Sequence, residues 1–327
     1  MRILAIGGTG FIGSRVVERL APDHEVTVLH RGKHAPRLPA NVRLITGDRN
    51  NLSESAAALR AARPDVALDM IAGDEHQARA VVDAFRGIAR RLVTISSMDV
   101  YRVYEVGLRL VPGPLEAVPL TEDSALRTVL YPARNNPVMS ALFDWVTPDY
   151  EKILVEQAVQ SQPDLPAAIV RLPMVYGPGD PLHRFRDFLR RMDDGNPVVQ
   201  IEETWAAWRG PFGYVEDVAS GIALAVTSAA AAGRVYHIAE AEALSWADWA
   251  RAVGDAAGWH GRIEILPLDQ TPEELRPPFR AEQHWTADSG RIRRELGYRE
   301  STPRAEALER TVAWERAMRA TGSRPVK

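Results

Sequence analysis

The chain has no cysteine, which excludes disulfides, thiolate metal ligands and a cysteine nucleophile. Its eight histidines show neither HExxH nor HxH spacing, so no metal site is expected. Of forty basic residues only three are lysines: Lys33, Lys152 and Lys327. In a sequence that writes arginine nearly everywhere, a lysine inside a helix is worth following. No long uncharged apolar run occurs, and the N-terminal stretch "ILAIGGTGFIG" is broken by four glycines. Neither a membrane span nor a signal peptide is therefore expected, and a cytoplasmic location is the default. A formal net charge of -3 gives no general attraction to nucleic acid. The arginine clusters Arg184, Arg186, Arg190, Arg191 and Arg291, Arg293, Arg294 read as solvated helix faces among acids.

What is present points to an α/β protein. At 327 residues and 46% apolar content, the chain can build a sizeable core. "RILAIGG" (2–8) is an apolar run ending in glycine, and the spacing of Val16, Val17 and Leu20 in "SRVVERLA" predicts a helix after it. Strands are predicted over 24–32, 41–48, 65–72 and 90–97, with helices over 53–62 and 75–87 between them. Strands alternating with helices need crossover connections, and hence a parallel sheet covered on both faces. The rhythm breaks over 101–149, a stretch rich in proline and asparagine that reads as an irregular excursion near the active site. It resumes with a helix from Pro148 to Ser161 and a strand over 167–177. The expected architecture is a doubly wound parallel-sheet Rossmann fold with a smaller C-terminal α/β substrate lobe. Residues 1–176, with 215–240 returning, form the dinucleotide-binding part, and 177–214 with 241–327 the substrate lobe.

"GGTGFIG" sets Gly7, Gly10 and Gly13 between the first strand and helix. The first glycine permits a tight turn, the second lets the backbone approach a pyrophosphate, and the third lets helix pack on sheet. Thr9, Phe11 and Ile12 of this turn are expected to line the cofactor. At the end of strand two, where an NAD site carries an acid for the ribose hydroxyls, the sequence is "LHRGKH". Arg31 and Lys33 suit the extra phosphate of NADP, with NAD the alternative. Asp48 is placed to touch the adenine amino group. Arg49 beside it, and Ile71 and Ala72 after strand four, complete the expected cofactor set.

Together "GGTGFIG", "GDRN", "ISSMDVY", "RLPMVYGPGD", "YVEDVASGIALA" and "RIRRELGY" resemble, in order and over nearly the whole chain, the extended short-chain dehydrogenase/reductases. "RGK" and "GDRN" look more like the atypical members of epimerase/dehydratase type, including those similar to chloroplast stem-loop-binding proteins. The resemblance implies that Ser97 hydrogen-bonds a substrate oxygen beside the nicotinamide. It implies that Asp99 stands where the dehydratase branch has an acid, its other reading being a turn cap. Pro173, Met174 and Val175 match the segment lining the nicotinamide. Tyr101, Tyr176, Arg209 and Tyr214 are candidate substrate contacts.

The departure lies in "TPDYEKILVEQAVQ" (147–160). The family's Tyr-x-x-x-Lys puts both side chains on one helical face, and the lysine lowers the tyrosine pKa for proton transfer. Lys152 matches the lysine, but four residues before it stands Pro148. With Thr147 as N-cap and Pro148 at the first helical position, Tyr150 is expected about 200° around the helix from Lys152. The usual tyrosine is then lacking. Either the excursion supplies a replacement acid, with Tyr131, Tyr101 and Tyr104 as candidates, or the site runs no tyrosine-dependent step. In the second case Lys152 holds the cofactor ribose or merely pairs with Glu156 at the surface. The expected function is an NADP-dependent oxidoreductase, epimerase or dehydratase acting on a sugar derivative or other small hydroxylated or carbonyl metabolite, and a homodimer is possible. The alternative is a catalytically decayed member that senses cofactor or binds RNA.

Overall fold

A computed structural model describes residues 1–32, 37–134 and 147–321. Seven parallel strands form the main sheet in the order β10-β6-β5-β4-β1-β2-β3. They are β1 (Arg2–Ile6), β2 (Glu25–His30), β3 (Arg43–Thr46), β4 (Val66–Asp69), β5 (Arg91–Ser97), β6 (Ala167–Leu172) and β10 (Val235–His237). β4 and β6 are buried along their whole length, as strands covered on both faces must be. The covering helices show why: α1 (Phe11–Leu20) buries Gly13, Val16, Val17 and Leu20. α3 (Glu75–Phe85) buries Ala78, Val81, Val82 and Phe85. Both are single stripes at helical period, and each fully buried Val or Phe side chain contributes about 1.5–3 kcal/mol. Between them lie the short α2 (Ala56–Ala62) and, after β5, α4 (Arg102–Gly107).

The strand expected over 167–177 is cut at Pro173, which has no N–H to give to a ladder. The chain then leaves the main sheet, and β7 (Met174–Tyr176) pairs in parallel with β9 (Phe212–Tyr214). A second small sheet joins β8 (Val198–Glu202) to β11 (Arg262–Leu266). Around these lie α6 (Arg186–Asp193), α7 (Glu203–Ala207), α8 (Val215–Thr227), α9 (Trp246–Ala257), α10 (Gly290–Leu296) and α11 (Arg304–Thr321). The helix expected over 148–161 is shorter at its start: it runs Lys152–Gln160, here α5.

The excursion after β5 is less irregular than its composition suggests. It opens with α4 and then returns to its own base, where Arg102 N–H donates to Ala125 O and Arg127 N–H to Val100 O. It also ties to the C-terminal part, Leu120 N–H to Thr286 O and Arg280 N–H to Gly107 O. Residues 135–146 of this stretch lie outside the described residues.

One end of the sheet is closed by a buried polar chain. Ser96 Oγ donates to Glu156 (2.6 Å), which holds Arg171 through both carboxylate oxygens (2.9 and 2.7 Å). Arg171 in turn donates to the Tyr101 hydroxyl, which contacts His237 Nε2. His237 Nδ1 lies 3.1 Å from Asp288 O. Since a carbonyl only accepts, Nδ1 carries the proton, and Tyr101 donates to a bare Nε2. A second ring proton would face a hydroxyl already engaged by a guanidinium. Burial first, then the Arg171 charge, accordingly push the His237 pKa down to about 3.

The unfolded histidine titrates near 6.5. Between those two values the unfolded chain binds a proton the folded chain does not, so this residue's contribution is full above about pH 6.5 and falls as pH drops toward 3. His237→Gln is expected to flatten the acid limb of thermal stability against pH in that window. Equal slopes in the two proteins would contradict the assignment.

Candidate functional site

The site lies along the C-terminal edge of the main sheet, where strand order reverses between β1 and β4. In such sheets that edge holds the ligand crevice. Gly7, at φ +86, makes the turn after β1, in a region closed to most side chains. A Cβ on Gly13 would stand 2.2 Å from Gly7 O, so the helix packs on the turn only with glycine there. At Gly10 a Cβ would meet nothing within 4 Å, so that face of the turn is open. Gly10 caps α1 without a side chain, no acid occupies the first turn, and the helix N-terminus is left as an anion-binding end. Thr9 is exposed, and Phe11 and Ile12 are half-buried. Ile71 across the crevice is 48% exposed, an apolar surface at the same opening.

Four expected cofactor residues are placed as follows. Arg49 is buried and forked onto Asp69 at the end of β4 (3.1 and 3.3 Å), with a further bond to Gln77 O. It is thus part of the floor, joining β4 to α3. Asp48 accepts from Asn50 N at 2.9 Å and starts the turn 49–55. Arg31 is exposed at the end of β2, without a hydrogen bond or ion pair among the described residues. Lys33 lies outside the described residues.

The largest correction concerns Tyr150. The helix does not begin at Pro148. Glu151 is its N-cap, its carboxylate accepting from Ile153 N (2.9 Å). Tyr150 is therefore outside the helix, and the 200° separation from Lys152 does not arise. Its backbone N–H closes a turn onto Thr147 O, and the side chain folds inward, 3% exposed. The phenol reaches Asp99 Oδ2 at 2.7 Å and also interacts with the Ser97 side chain. Lys152 Nζ lies 6.0 Å from its ring centre. A Tyr-x-Lys spacing thus brings the phenol, the lysine and Ser97 together at the end of β5.

Lys152 is buried and donates to Ala72 O and to Ile95 O (3.0 Å), so an ammonium has two fixed acceptors and one proton left to place. It makes no surface pair with Glu156, which is buried on Arg171. Burial lowers the Lys152 pKa. Burial raises that of Asp99 against the Arg127 and Lys152 charges, and burial raises that of Tyr150. Ser97 Oγ accepts from Asp99 N, so Ser97 is the turn cap here, while the Asp99 side chain, the expected alternative cap, contacts Tyr150 instead.

The other tyrosines make different contacts. Tyr131, at φ +53, stacks under Arg134, 3.7 Å from guanidinium carbon to ring centre. Tyr101 is fully buried in the His237 chain. Tyr176 is buried with its hydroxyl on Glu240, and Tyr214 is buried beside Arg310. All three phenols are buried in the core. Arg209 is exposed and turned onto Ala243 O. Tyr104 stacks on Trp285 (4.4 Å) within electrostatic range of Asp99. Pro173 and Met174 are half-buried where the chain leaves the sheet.

Two residues that sequence reasoning passed over hold this geometry. Glu151, besides capping α5, receives Arg127 through both nitrogens (2.9 and 2.7 Å) and the Tyr131 N–H. Arg127 also donates from Nε to Asp99 O. The signal was an acid directly before the lysine, but glutamate is not a favoured cap and Pro148 offered a better-known start.

A doubly wound sheet with a glycine turn at its switch point defines a dinucleotide-binding protein. The pattern of the NAD dependent epimerase/dehydratase family matches residues 3–239, and the chain belongs to that family. By family it is an enzyme of NAD(P)-dependent epimerase, dehydratase or reductase type. It is similar to a dTDP-glucose 4,6-dehydratase of Streptomyces griseus, 27% identical over 339 aligned positions (95% of this chain, 93% of that one). It is also similar to the 2'-dehydrokanamycin reductase of Streptomyces kanamyceticus, 26% identical over 283 positions (84% and 72%). Its fold matches the dTDP-glucose 4,6-dehydratase of Streptomyces venezuelae solved with NAD and TYD bound, with a TM-score of 0.69 at 23% identity, covering 98% of both chains. No described helix is long and apolar enough to cross a membrane.

The buried pair Arg127–Glu151 generates a stability test. Removing one partner strands a buried charge, so Glu151→Ala is expected to lose about 3–5 kcal/mol. The double variant Arg127→Met, Glu151→Leu, which strands none, should lose less. Denaturant melts of the three proteins measure this, and equal losses would show that the ion pair does not hold the segment.

Proposed function

We propose that the chain is an NADP-dependent enzyme that adds or removes a proton at a hydroxyl or carbonyl oxygen of a sugar derivative or comparable small hydroxylated metabolite. The observation that carries this reading is the convergence of Tyr150, Ser97 and Lys152 at the end of β5. The relatives are named for reactions on sugars or sugar-containing compounds, which supports the substrate class.

The residues present fit a dinucleotide. The open face at Gly10 and the uncapped α1 N-terminus would take the pyrophosphate. Ile71 would cover the nucleotide from the opposite side, Lys152 would offer its remaining proton to a ribose hydroxyl, and Arg31 would meet a 2'-phosphate. A bound nicotinamide would supply or accept the hydride. Tyr150 would hand its proton to, or take one from, the reacting oxygen, with Ser97 orienting that oxygen. The decayed-site alternative was motivated by Pro148 standing where the phenol belongs. It loses that motive once Tyr150 reaches Ser97 from outside the helix. The chain's fit to dinucleotide-binding and its net charge of -3 do not favour an RNA partner.

Tyr150→Phe is expected to lower kcat on a carbonyl substrate about 100- to 10,000-fold while NADP(H) affinity, followed by fluorescence titration, stays unchanged. Full activity in this variant would remove Tyr150 from the chemistry. Lys152→Ala should weaken cofactor binding about tenfold or more without altering the circular dichroism spectrum. Arg31→Asp should move preference from NADP toward NAD, and an unchanged ratio of the two dissociation constants would remove the basis for naming NADP.

A further inference from the structure

A phenol has one proton to give. If Asp99 is a carboxylate, the 2.7 Å contact obliges Tyr150 to spend that proton on Asp99 Oδ2, leaving none for a substrate oxygen. Heavy-atom distance fits donation in either direction, so the protonation of Asp99 decides what the tyrosine can do. The surroundings of the carboxyl bear on this. Its second oxygen, Oδ1, is buried and has no hydrogen-bond partner among the described residues. An ionised carboxylate with one oxygen buried and bare is costly, whereas the carbonyl oxygen of a neutral acid tolerates that position far better.

The charged neighbours must be weighed together. Arg127 and Lys152 favour the carboxylate, and Glu151 opposes it. The Arg127 guanidinium is engaged by both oxygens of Glu151 and reaches Asp99 only at its backbone carbonyl. The Lys152 ammonium is turned onto two backbone carbonyls rather than onto Asp99. Tyr104 from α4 lies within electrostatic range of the carboxyl, and burial pushes its phenol upward in pKa. Neither cation therefore donates a hydrogen bond to the Asp99 side chain, and burial pushes its pKa in the same direction as the bare oxygen.

We propose that Asp99 is held as a neutral carboxylic acid and serves as the proton reservoir of Tyr150. In this arrangement the Asp99 Oδ2–H donates to the phenol oxygen, and the phenol O–H, on the side of Ser97, can turn to a substrate carbonyl. With a bound reduced nicotinamide supplying the hydride to the carbonyl carbon, the Tyr150 O–H bond would break and its proton would pass to the carbonyl oxygen. The Asp99 O–H bond breaks in turn and its proton restores the phenol. The products are an alcohol, an intact Tyr150, an oxidised cofactor and an Asp99 carboxylate, which solvent then reprotonates. The inference rests on the reading of Tyr150 as the acid, but its state can be read without turnover.

Infrared difference spectra of the cofactor-free protein, wild type minus Asp99→Asn at neutral pH, should show the C=O stretch of a protonated carboxyl, shifted in Tyr150→Phe by loss of its hydrogen-bond partner. Absence of that band in the wild type would overturn the proposal. Should Asp99→Asn fail to fold, carboxyl-carbon NMR of labelled aspartate in the wild type replaces it, with one aspartate expected to titrate above neutrality and to move in Tyr150→Phe. If every aspartate is ionised at pH 7, the reservoir does not exist. The kcat pH profile of Asp99→Asn should lose the basic limb set by Asp99, and an unchanged profile would contradict the relay. A band present alongside a fully active Tyr150→Phe sinks the tyrosine reading. An absent band alongside an inactive Tyr150→Phe sinks only the reservoir.

Discussion

The arrangement of the site depends on where one helix begins. Glu151 folds its carboxylate back onto Ile153 N while gripping Arg127 from the excursion. Capping and ion pairing by the same buried group fix the first turn of α5 at Lys152 and leave Tyr150 in the turn before it. One residue earlier or later would change which face each side chain meets, because each helical position turns about 100°. The lysine, inside the helix, is aimed at the carbonyls of Ala72 and Ile95. The tyrosine, outside it, is free to fold over the end of β5. A two-residue spacing thereby reaches a convergence that an unbroken helix reaches with four.

The same pair ties the excursion to the chemistry. Arg127 spans from Glu151 to the Asp99 carbonyl, and Glu105 in α4 takes the N–H groups of Thr128 and Val129. The segment after β5 is thus sewn to the start of α5 by buried carboxylates, each satisfied by several donors. Behind this layer, Glu156, Arg171, Tyr101 and His237 form a second buried chain with little solvent contact. Charges in such a core are tolerable only when paired and hydrogen-bonded. The Asp99 carboxyl, with its bare Oδ1 next to the phenol, lacks the partners those charges have.

The regular elements were legible because their signals are local. Alternation of apolar strands and amphipathic helices gives the parallel sheet, and the glycines of "GGTGFIG" give the turn that opens the crevice. The strand across Pro173 was overextended because the run stays apolar on both sides, and only the missing N–H marks the break. The start of α5 was misread for a different reason. Proline at a first helical position is a strong local preference, and here a tertiary partner, Arg127, overrides it from more than twenty residues away in sequence. Tyr176 and Tyr214 were candidate substrate contacts because the family resemblance put them where the small lobe meets substrate, and Tyr101 because it follows strand five. Their burial against Arg171, Glu240 and Arg310 depends on pairings no periodicity reveals.

The central claim is that Tyr150, lying outside its helix, stands with Ser97 and Lys152 around one reacting oxygen. The most direct measurement is a crystal structure with NADP and a carbonyl-bearing substrate analogue. The account predicts α5 beginning at Lys152, with the Tyr150 and Ser97 hydroxyls both within hydrogen-bond reach of the analogue's oxygen beside the nicotinamide. A helix that instead continues back to Pro148, carrying the Tyr150 phenol away from Ser97, would contradict it.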